Sequence, residues 1–409
     1  MPKNYGTYSY EMVRSNYGEK DIPYFVLSVQ PHVAIRLKRV FPRVPQGAAK
    51  AISIQATDEA AFELNWFLQR YPLNPIGNAH LYLSDGVQRW NSMTNLVDLA
   101  YDVNYVAPDV SLAEPARTYQ LLPAAMVMHS GGLLLSDDAG LGKTLQGIIL
   151  AVTPGTLPML FVTKTDLPIQ IRAEFKRFAP DLRTHIVNVG SAYKGVDSPQ
   201  DLANLVHKGK DFPDVVIMSY SKLNGWANFL KKYIKSVTYD EIQELRRGTT
   251  SNRGKAAALI SENATYRLGL SATPIFNRGD EIHAVYQFLR PDVLGSESEF
   301  AREWTTSGGI VKEPKALGIY LRESGALLKR TKQDVGRELP PVQVHEHYCE
   351  HNDGTLSAIA PELTELAKFI VTGGNKRGDS FRAGASSTRN SARLPVWPRQ
   401  IVSRPSWIS

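Results

Sequence analysis

A chain of 409 residues, 43% hydrophobic and 21% charged, is long enough for two or three compact units, each burying its own core. Its formal charge of +7 describes the tail and not the body: residues 371–409 hold Lys376, Arg377, Arg382, Arg389, Arg393, Arg399 and Arg404 against a single acid, Asp379. One cysteine, Cys349, excludes an intrachain disulfide, the opening MPKNYGTYSY has no signal-like apolar core, and no run nears the roughly 18 apolar residues that span a membrane; a reduced, cytoplasmic protein is expected, with no membrane partner.

Residues 1–110 read as a small α+β accessory domain. Tyr24–Val29 and Ala51–Gln55 are strand-like, and a Thr57-Asp58 cap leads into a helix over Ala60–Tyr71, where Phe62, Trp66 and Phe67 supply an apolar face. These aromatics are expected in a core. No catalytic constellation is present, so a structural or partner-binding role is expected, with protein partners reached through this domain.

From Ala113 the pattern changes to short apolar runs, each followed by a polar turn and a helical segment. Gly132–Leu135, Pro158–Thr163, Val215–Ser219, Ser236–Tyr239 and Tyr266–Leu270 lack strict alternation, as strands buried on both faces of a parallel sheet do. A doubly wound α/β lobe over residues 113–345 is predicted, and in such sheets ligand groups gather at the carboxyl ends of the strands.

Two of those ends carry phosphate chemistry. Leu133–Leu135 runs into Ser136-Asp137-Asp138-Ala139-Gly140-Leu141-Gly142-Lys143-Thr144 and a helical Leu145–Leu150, the strand, glycine loop and helix of a P-loop. Asp138, Gly140 and Gly142 would line the phosphates of ATP, Lys143 would reach the β- and γ-phosphates, and Thr144 would ligate Mg²⁺. Asp137 stands where the common pattern has its first glycine. The second end is Val237-Thr238-Tyr239-Asp240-Glu241-Ile242-Gln243: Asp240 can hold Mg²⁺, and Glu241 can orient and deprotonate the attacking water.

The acidic Asp-Asp-Ala-Gly-Leu-Gly-Lys-Thr loop closely resembles that of Swi/Snf-type superfamily-two ATPases, and further segments resemble that family's motifs in order. Arg117-Thr118-Tyr119-Gln120 is similar to its Arg-Pro-Tyr-Gln, which implies that Gln120 reads the adenine edge. Phe161-Val162-Thr163-Lys164 with Gln170-Ile171-Arg172-Ala173-Glu174-Phe175, and Val215–Tyr220, resemble segments along the family's DNA path, which implies roles there for Lys164, Ser219 and Tyr220; Ile171 replaces the usual tryptophan. Gln243 stands where many members have histidine. Leu268–Asn277 resembles Gly-Leu-Thr/Ser-Ala-Thr-Pro-x-x-Asn, implying that Ser271, Ala272 and Thr273 couple nucleotide state to DNA grip. Leu328–Val335 with Leu339-Pro340-Pro341 resembles the exit from the lobe. The resemblance runs over Ala113–Val344 and implies a RecA-like first lobe of a bacterial or phage ATPase that moves on double-stranded DNA, free in the cytoplasm or at the nucleoid.

His345, His347, Cys349 and His351 alternate, so an extended strand would show all four on one face. That is a conceivable zinc set, but the spacing suits few closed tetrahedral sites and no second ligand group is evident; a plain strand is expected. Residues 346–383 are expected to be a linker or the start of a truncated second lobe, and 384–409 a disordered basic tail. The tail from about Gly384 is expected to be read out of frame, with plain disorder as the alternative, because shifted codons over Gly384–Val402 are compatible with a Leu-Arg-Gln-containing helix of the kind that opens the family's second lobe. Without that lobe's arginine fingers, slow hydrolysis by this chain is expected. Two function classes stay open: an ATP-dependent translocase, or a non-catalytic ATP- or DNA-binding fragment.

Overall fold

Apolar side chains two residues apart on adjoining segments turn the beginning of the chain into a hairpin. The computed structural model describes residues 4–14, 21–48, 51–102, 104, 110–192, 202, 206, 211–273, 279–306, 309–336, 360, 361, 364 and 365. Strand β1 (Gly6–Arg14) pairs antiparallel with β2 (Asp21–Val29) from Gly6 opposite Val29 to Arg14 opposite Asp21. Across the strands Tyr8, Phe25 and Leu27 point inward. The helix α1 (Pro31–Val40) follows, and β3 (Ile52–Gln55) and β4 (Asn74–Pro75) complete a sheet of order β3-β2-β1-β4.

Helix α2 (Asp58–Arg70) starts as expected: the Thr57 hydroxyl accepts from the Ala60 N–H, filling one of the donors a helix start leaves open. Its apolar face differs from the expectation. Ala60, Ala61, Leu64 and Phe67 are buried against Val33, Leu37 and Ile52, whereas Trp66 is 61% exposed and Phe62 40% exposed, stacked on Trp90. A helix buries one stripe, and the stripe through Leu64 and Phe67 leaves positions 62 and 66 on the other side. The 21-residue α3 (Ala79–Leu99) then joins two cores: Ala79 and Leu83 pack with the first sheet, Met93 and Val97 with the second.

The second sheet holds the expected runs almost residue for residue. The strands are β5 (Gly132–Leu135), β6 (Met159–Thr163), β7 (Thr184–Ile186), β8 (Val215–Ser219), β9 (Ser236–Asp240), β10 (Tyr266–Leu270) and β11 (Leu327–Leu328), in the order β11-β5-β10-β9-β6-β8-β7. Every pairing is parallel. Successive residues feed opposite faces: Leu133, Leu135, Met159, Phe161, Val215 and Ile217 enter one core, Leu134, Leu160, Val162, Val216 and Met218 the other. Both faces are covered by helices, so the runs are continuously apolar, as predicted for an α/β lobe.

The covering helices are α4 (Thr118–Ser130), α5 (Lys143–Val152), α6 (Pro168–Phe178), α7 (Leu223–Leu230), α8 (Asn252–Asn263) and α9 (Gly279–Leu289), followed by α10 (Pro291–Leu294), α11 (Glu297–Trp304) and α12 (Pro314–Glu323). Ile171, in the place of the family's tryptophan, is buried against the sheet.

Arg43 ties the first sheet's unit to the last helices. Its Nε donates to Glu303 Oε2 at 2.7 Å, and its Nη2 to the Val293 carbonyl at 2.6 Å and the Tyr320 hydroxyl at 3.0 Å. Tyr320 in turn lies 2.7 Å from Glu59 Oε2 on α2. No helix among the described residues is long and apolar enough to cross a membrane. The His345–His351 set and the tail from Gly384 lie outside the described residues.

Candidate nucleotide site

The sheet register assembles the site. Leu135, Leu270 and Asp240 lie level across β5, β10 and β9, so the glycine loop and the paired carboxylates emerge on either side of one strand. Ser271 follows Leu270 between them; its N–H donates to the Leu135 carbonyl at 3.0 Å, and its hydroxyl accepts from Thr273 N at 3.0 Å. The last residue of β6, Thr163, reaches in from the far side.

The loop turns on glycine. Gly140 and Gly142 have φ of 87° and 77°, and a Cβ at Gly142 would collide with Gln120 Nε2. Gln120 is buried beneath the loop: its Nε2 donates to the Leu141 carbonyl at 3.1 Å and its Oε1 accepts from the Arg117 N–H at 2.9 Å. The Tyr119 hydroxyl donates to that same carbonyl at 3.2 Å. Gln120 therefore supports the loop as well as standing beside it.

Lys143 opens α5. Its ammonium donates to the carbonyls of Asp137 at 2.6 Å and Asp138 at 3.2 Å, and burial pulls its pKa down against the fields of Asp137, Glu241, Asp138 and Asp240. Thr144, next in the helix, is half-buried. Two left-handed glycines, an ammonium and the N-terminus of a 10-residue helix form an anion cradle, which fits a nucleotide's phosphates.

Asp240 ends β9. Its Oδ2 accepts from the Thr163 hydroxyl at 2.9 Å, and its carbonyl accepts from the Tyr220 hydroxyl at 2.9 Å. Burial raises its carboxyl pKa, opposed by the Thr163 hydrogen bond and by the positive fields of Lys164 and Lys143. The Asp240 carboxylate and the Thr144 hydroxyl are oxygen donors of the kind Mg²⁺ takes. Glu241 follows with φ 56°, the only non-glycine residue among those described with a positive φ. Its carboxylate accepts from Gln243 Nε2. Gln243 is buried, and among the described residues no donor reaches its Oε1.

The residues expected along a DNA path divide. Lys164, Ala272 and Thr273 are exposed. Ser219 and Tyr220, expected along the same path, are buried: the Ser219 hydroxyl bonds that of Ser221 at 2.8 Å, and the Tyr220 ring lies in the core. A strand buried on both faces leaves its last side chains inside. Of the Leu268–Asn277 segment, residues 274–277 lie outside the described residues.

Sequence reading gave no role to Arg330. Its guanidinium and that of no other described cation is fully buried, and it clasps Asp137 with contacts of 3.1 Å from Nε and 2.6 Å from Nη2. An acid in the place of the loop's first glycine needs a counter-charge, and that requirement was the available signal.

A glycine loop on one strand of a parallel α/β sheet and paired carboxylates two strands away define a P-loop ATPase lobe. The model of the SNF2-related domain family matches residues 61–380, and the chain belongs to that family. It is 29% identical over 231 residues to an "uncharacterized ATP-dependent helicase" of Mycoplasma pneumoniae, covering 54% of this chain and 20% of that protein. It is 26% identical over 268 residues to the ATP-dependent helicase FUN30 of Saccharomyces cerevisiae, covering 60% of this chain and 23% of that protein. It thus spans under a third of these relatives. Among solved structures, the Sulfolobus solfataricus SWI2/SNF2 ATPase core in complex with dsDNA aligns with a TM-score of 0.46 at 23% identity, over 70% of this chain and 60% of that one.

Proposed function

We propose that this chain is the ATP-binding lobe of an enzyme that couples ATP hydrolysis to movement along double-stranded DNA. The observation that carries the reading is that β5, which leads into the loop bearing Lys143, and β9, which ends in Asp240, finish level on either side of β10, with Ser271 between them. That is the separation of duties phosphoryl transfer requires: a cationic cradle for the phosphates on one side, carboxylates for metal and water on the other.

In this reading Lys143 leaves the loop carbonyls to hold the β- and γ-phosphates, while Asp138, Gly140 and Gly142 present the loop backbone. Gln120 faces the base. Thr144 and Asp240 hold Mg²⁺, which when bound neutralises phosphate charge. Glu241 takes the proton of the attacking water, and Gln243 carries the state of Glu241 toward Ser271 and Thr273. Lys164, Ala272 and Thr273 supply the exposed surface toward DNA, and residues 1–110 act as an accessory unit. The names of the relatives, ATP-dependent helicases, agree with this reading.

Calorimetric titration with Mg·ATP, followed by single-turnover phosphate release with duplex DNA, tests it. Lys143→Ala removes a charge-assisted contact and is expected to weaken ATP binding by about tenfold to a hundredfold. Glu241→Gln is expected to retain binding and to bring the parent's already slow release down to the uncatalysed rate. Equal affinity for the parent and Lys143→Ala sinks the site; equal release by the parent and Glu241→Gln leaves a non-catalytic ATP- or DNA-binding protein.

A further inference from the structure

Asp137 and Arg330 are the only charged side chains fully buried among the described residues, both at 0% exposure. A glycine at position 137 would need no partner. With an aspartate there, the loop carries a carboxylate that must be neutralised inside the protein, and the guanidinium that does so comes from 193 residues away.

Arg330 does more than neutralise. Its main-chain N–H and Nε both reach Asp137 Oδ1 at 3.1 Å, and its Nη2 reaches Oδ2 at 2.6 Å. Nη2 also donates to Gln146 Oε1 at 3.0 Å, and Nη1 to the Tyr119 carbonyl at 2.8 Å. One planar group thereby grips the loop, the helix that begins at Lys143, and the helix that carries Gln120, the three elements around the cradle. A lysine's point charge cannot satisfy three directions at once.

The connection continues along the main chain. Leu134, Ser136 and Asp138 donate their N–H groups to the carbonyls of Ala326, Leu328 and Arg330 at 2.9, 2.7 and 3.0 Å, so the β5–β11 pairing runs on into the loop. Beyond it Thr331 and Asp334 close a turn, with the Thr331 N–H and hydroxyl on Asp334 Oδ2 at 2.7 and 2.8 Å. The carbonyls that Lys143 occupies belong to Asp137 and Asp138, the residues this lacing fixes.

We infer that Arg330 is a positioning residue of the nucleotide site: through Asp137 it holds the loop in the shape that receives phosphates, and it ties the occupancy of the loop to the segment after β11. This rests on the reading of the loop as an ATP site. When Lys143 turns from the loop carbonyls to a phosphate, the loop keeps its course because the Asp137 side chain is clasped from the other side. Movement of the segment after β11 is resisted by the same clasp, so filling the loop stiffens that segment.

The test uses the full chain, titrated with a fluorescent ATP analogue and Mg²⁺, with thermal melting and hydrogen exchange of the amides of residues 327–336 followed in parallel. Asp137→Asn and Arg330→Met each lower the melting temperature. The double variant Asp137→Asn/Arg330→Met removes both charges, so melting returns toward the parent, while affinity stays about tenfold or more below it and ATP no longer protects those amides. A double variant that regains melting and parental affinity together overturns the proposal, because the pair is then structural only. If the double variant does not fold, Arg330→Lys decides: a folded lysine variant with parental affinity overturns the proposal, and a folded one about tenfold weaker supports it. Lys143→Ala separates the two readings. Parental affinity there removes the ATP site itself, whereas lost affinity there beside parental affinity in the double variant removes only the role of Arg330.

Discussion

Arg330 and Arg43 each carry a guanidinium into a crowded place, and each meets carboxylates there, but in different proportions. Arg330 faces one acid, Asp137, with both sealed from solvent. Arg43 is 22% exposed beside Glu303 at 18%, and Glu59 and Glu63 add their fields to the same cluster. One cation against one acid leaves the charges balanced. Arg43, joined by the field of Arg290 at Glu59, faces three acids, and the surplus appears at Glu59, raised by burial, and at Glu63, whose pKa is raised to about 7 by burial and then by Glu59 and Glu303. The contrast teaches that a sealed pair fixes geometry, while an unbalanced cluster makes the joint between the first sheet's unit and the lobe's last helices respond to pH.

The largest effect expected from breaking this comparison is at Arg330. Arg330→Ala strands a buried carboxylate, and urea unfolding should show a loss of about 3–5 kcal/mol. Arg43→Ala removes a partly exposed group with several hydrogen bonds, and the same measurement should show about 1–3 kcal/mol. A larger loss at Arg43 than at Arg330 would undo the ranking by burial.

The finest probe is Glu63→Gln. A carboxyl whose pKa is raised from 4.5 to about 7 on folding contributes stability that is complete below the lower value and is lost as pH climbs through the upper one. The parent should therefore lose stability between about pH 4.5 and 7, by no more than roughly 1 kcal/mol per pH unit after allowance for partial exposure. Thermal melting across that window should show a shallower slope for Glu63→Gln; an unchanged slope places the surplus charge elsewhere.

The lobe was more legible than the accessory unit because its signals are local. Runs such as Val215–Ser219 are apolar on both faces and need no partner to be read as buried strands, and the glycine loop and Asp240-Glu241 follow such runs directly. The lobe's strands that escaped, Thr184–Ile186 and Leu327–Leu328, are three and two residues long, too short to show a period; in the first sheet Asn74–Pro75 escaped too, and so did the nine-residue Gly6–Arg14, whose outer half is exposed on both faces. At Phe62 and Trp66 residue type pointed inward, while the register of the helix, set by Leu64 and Phe67, turned them out. The clasp on Asp137 depends on a residue 193 positions away, and no local pattern reports such a partner. Thr163 was read as part of a strand, and only the adjacency of β6 and β9 shows that its hydroxyl holds Asp240.

Glu241 has a further consequence for anyone who would make this protein sturdier. With φ 56° and ψ 54° it occupies the left-handed region, where a residue bearing a Cβ sits at a cost of about 1–2 kcal/mol that glycine escapes. A selection for thermal resistance alone would drift toward glycine at position 241, and would discard the carboxylate that the proposed chemistry uses. Fitness under heat and fitness for turnover pull in opposite directions at this residue, so a glutamate that persists there through such a selection is a record that turnover was being selected too.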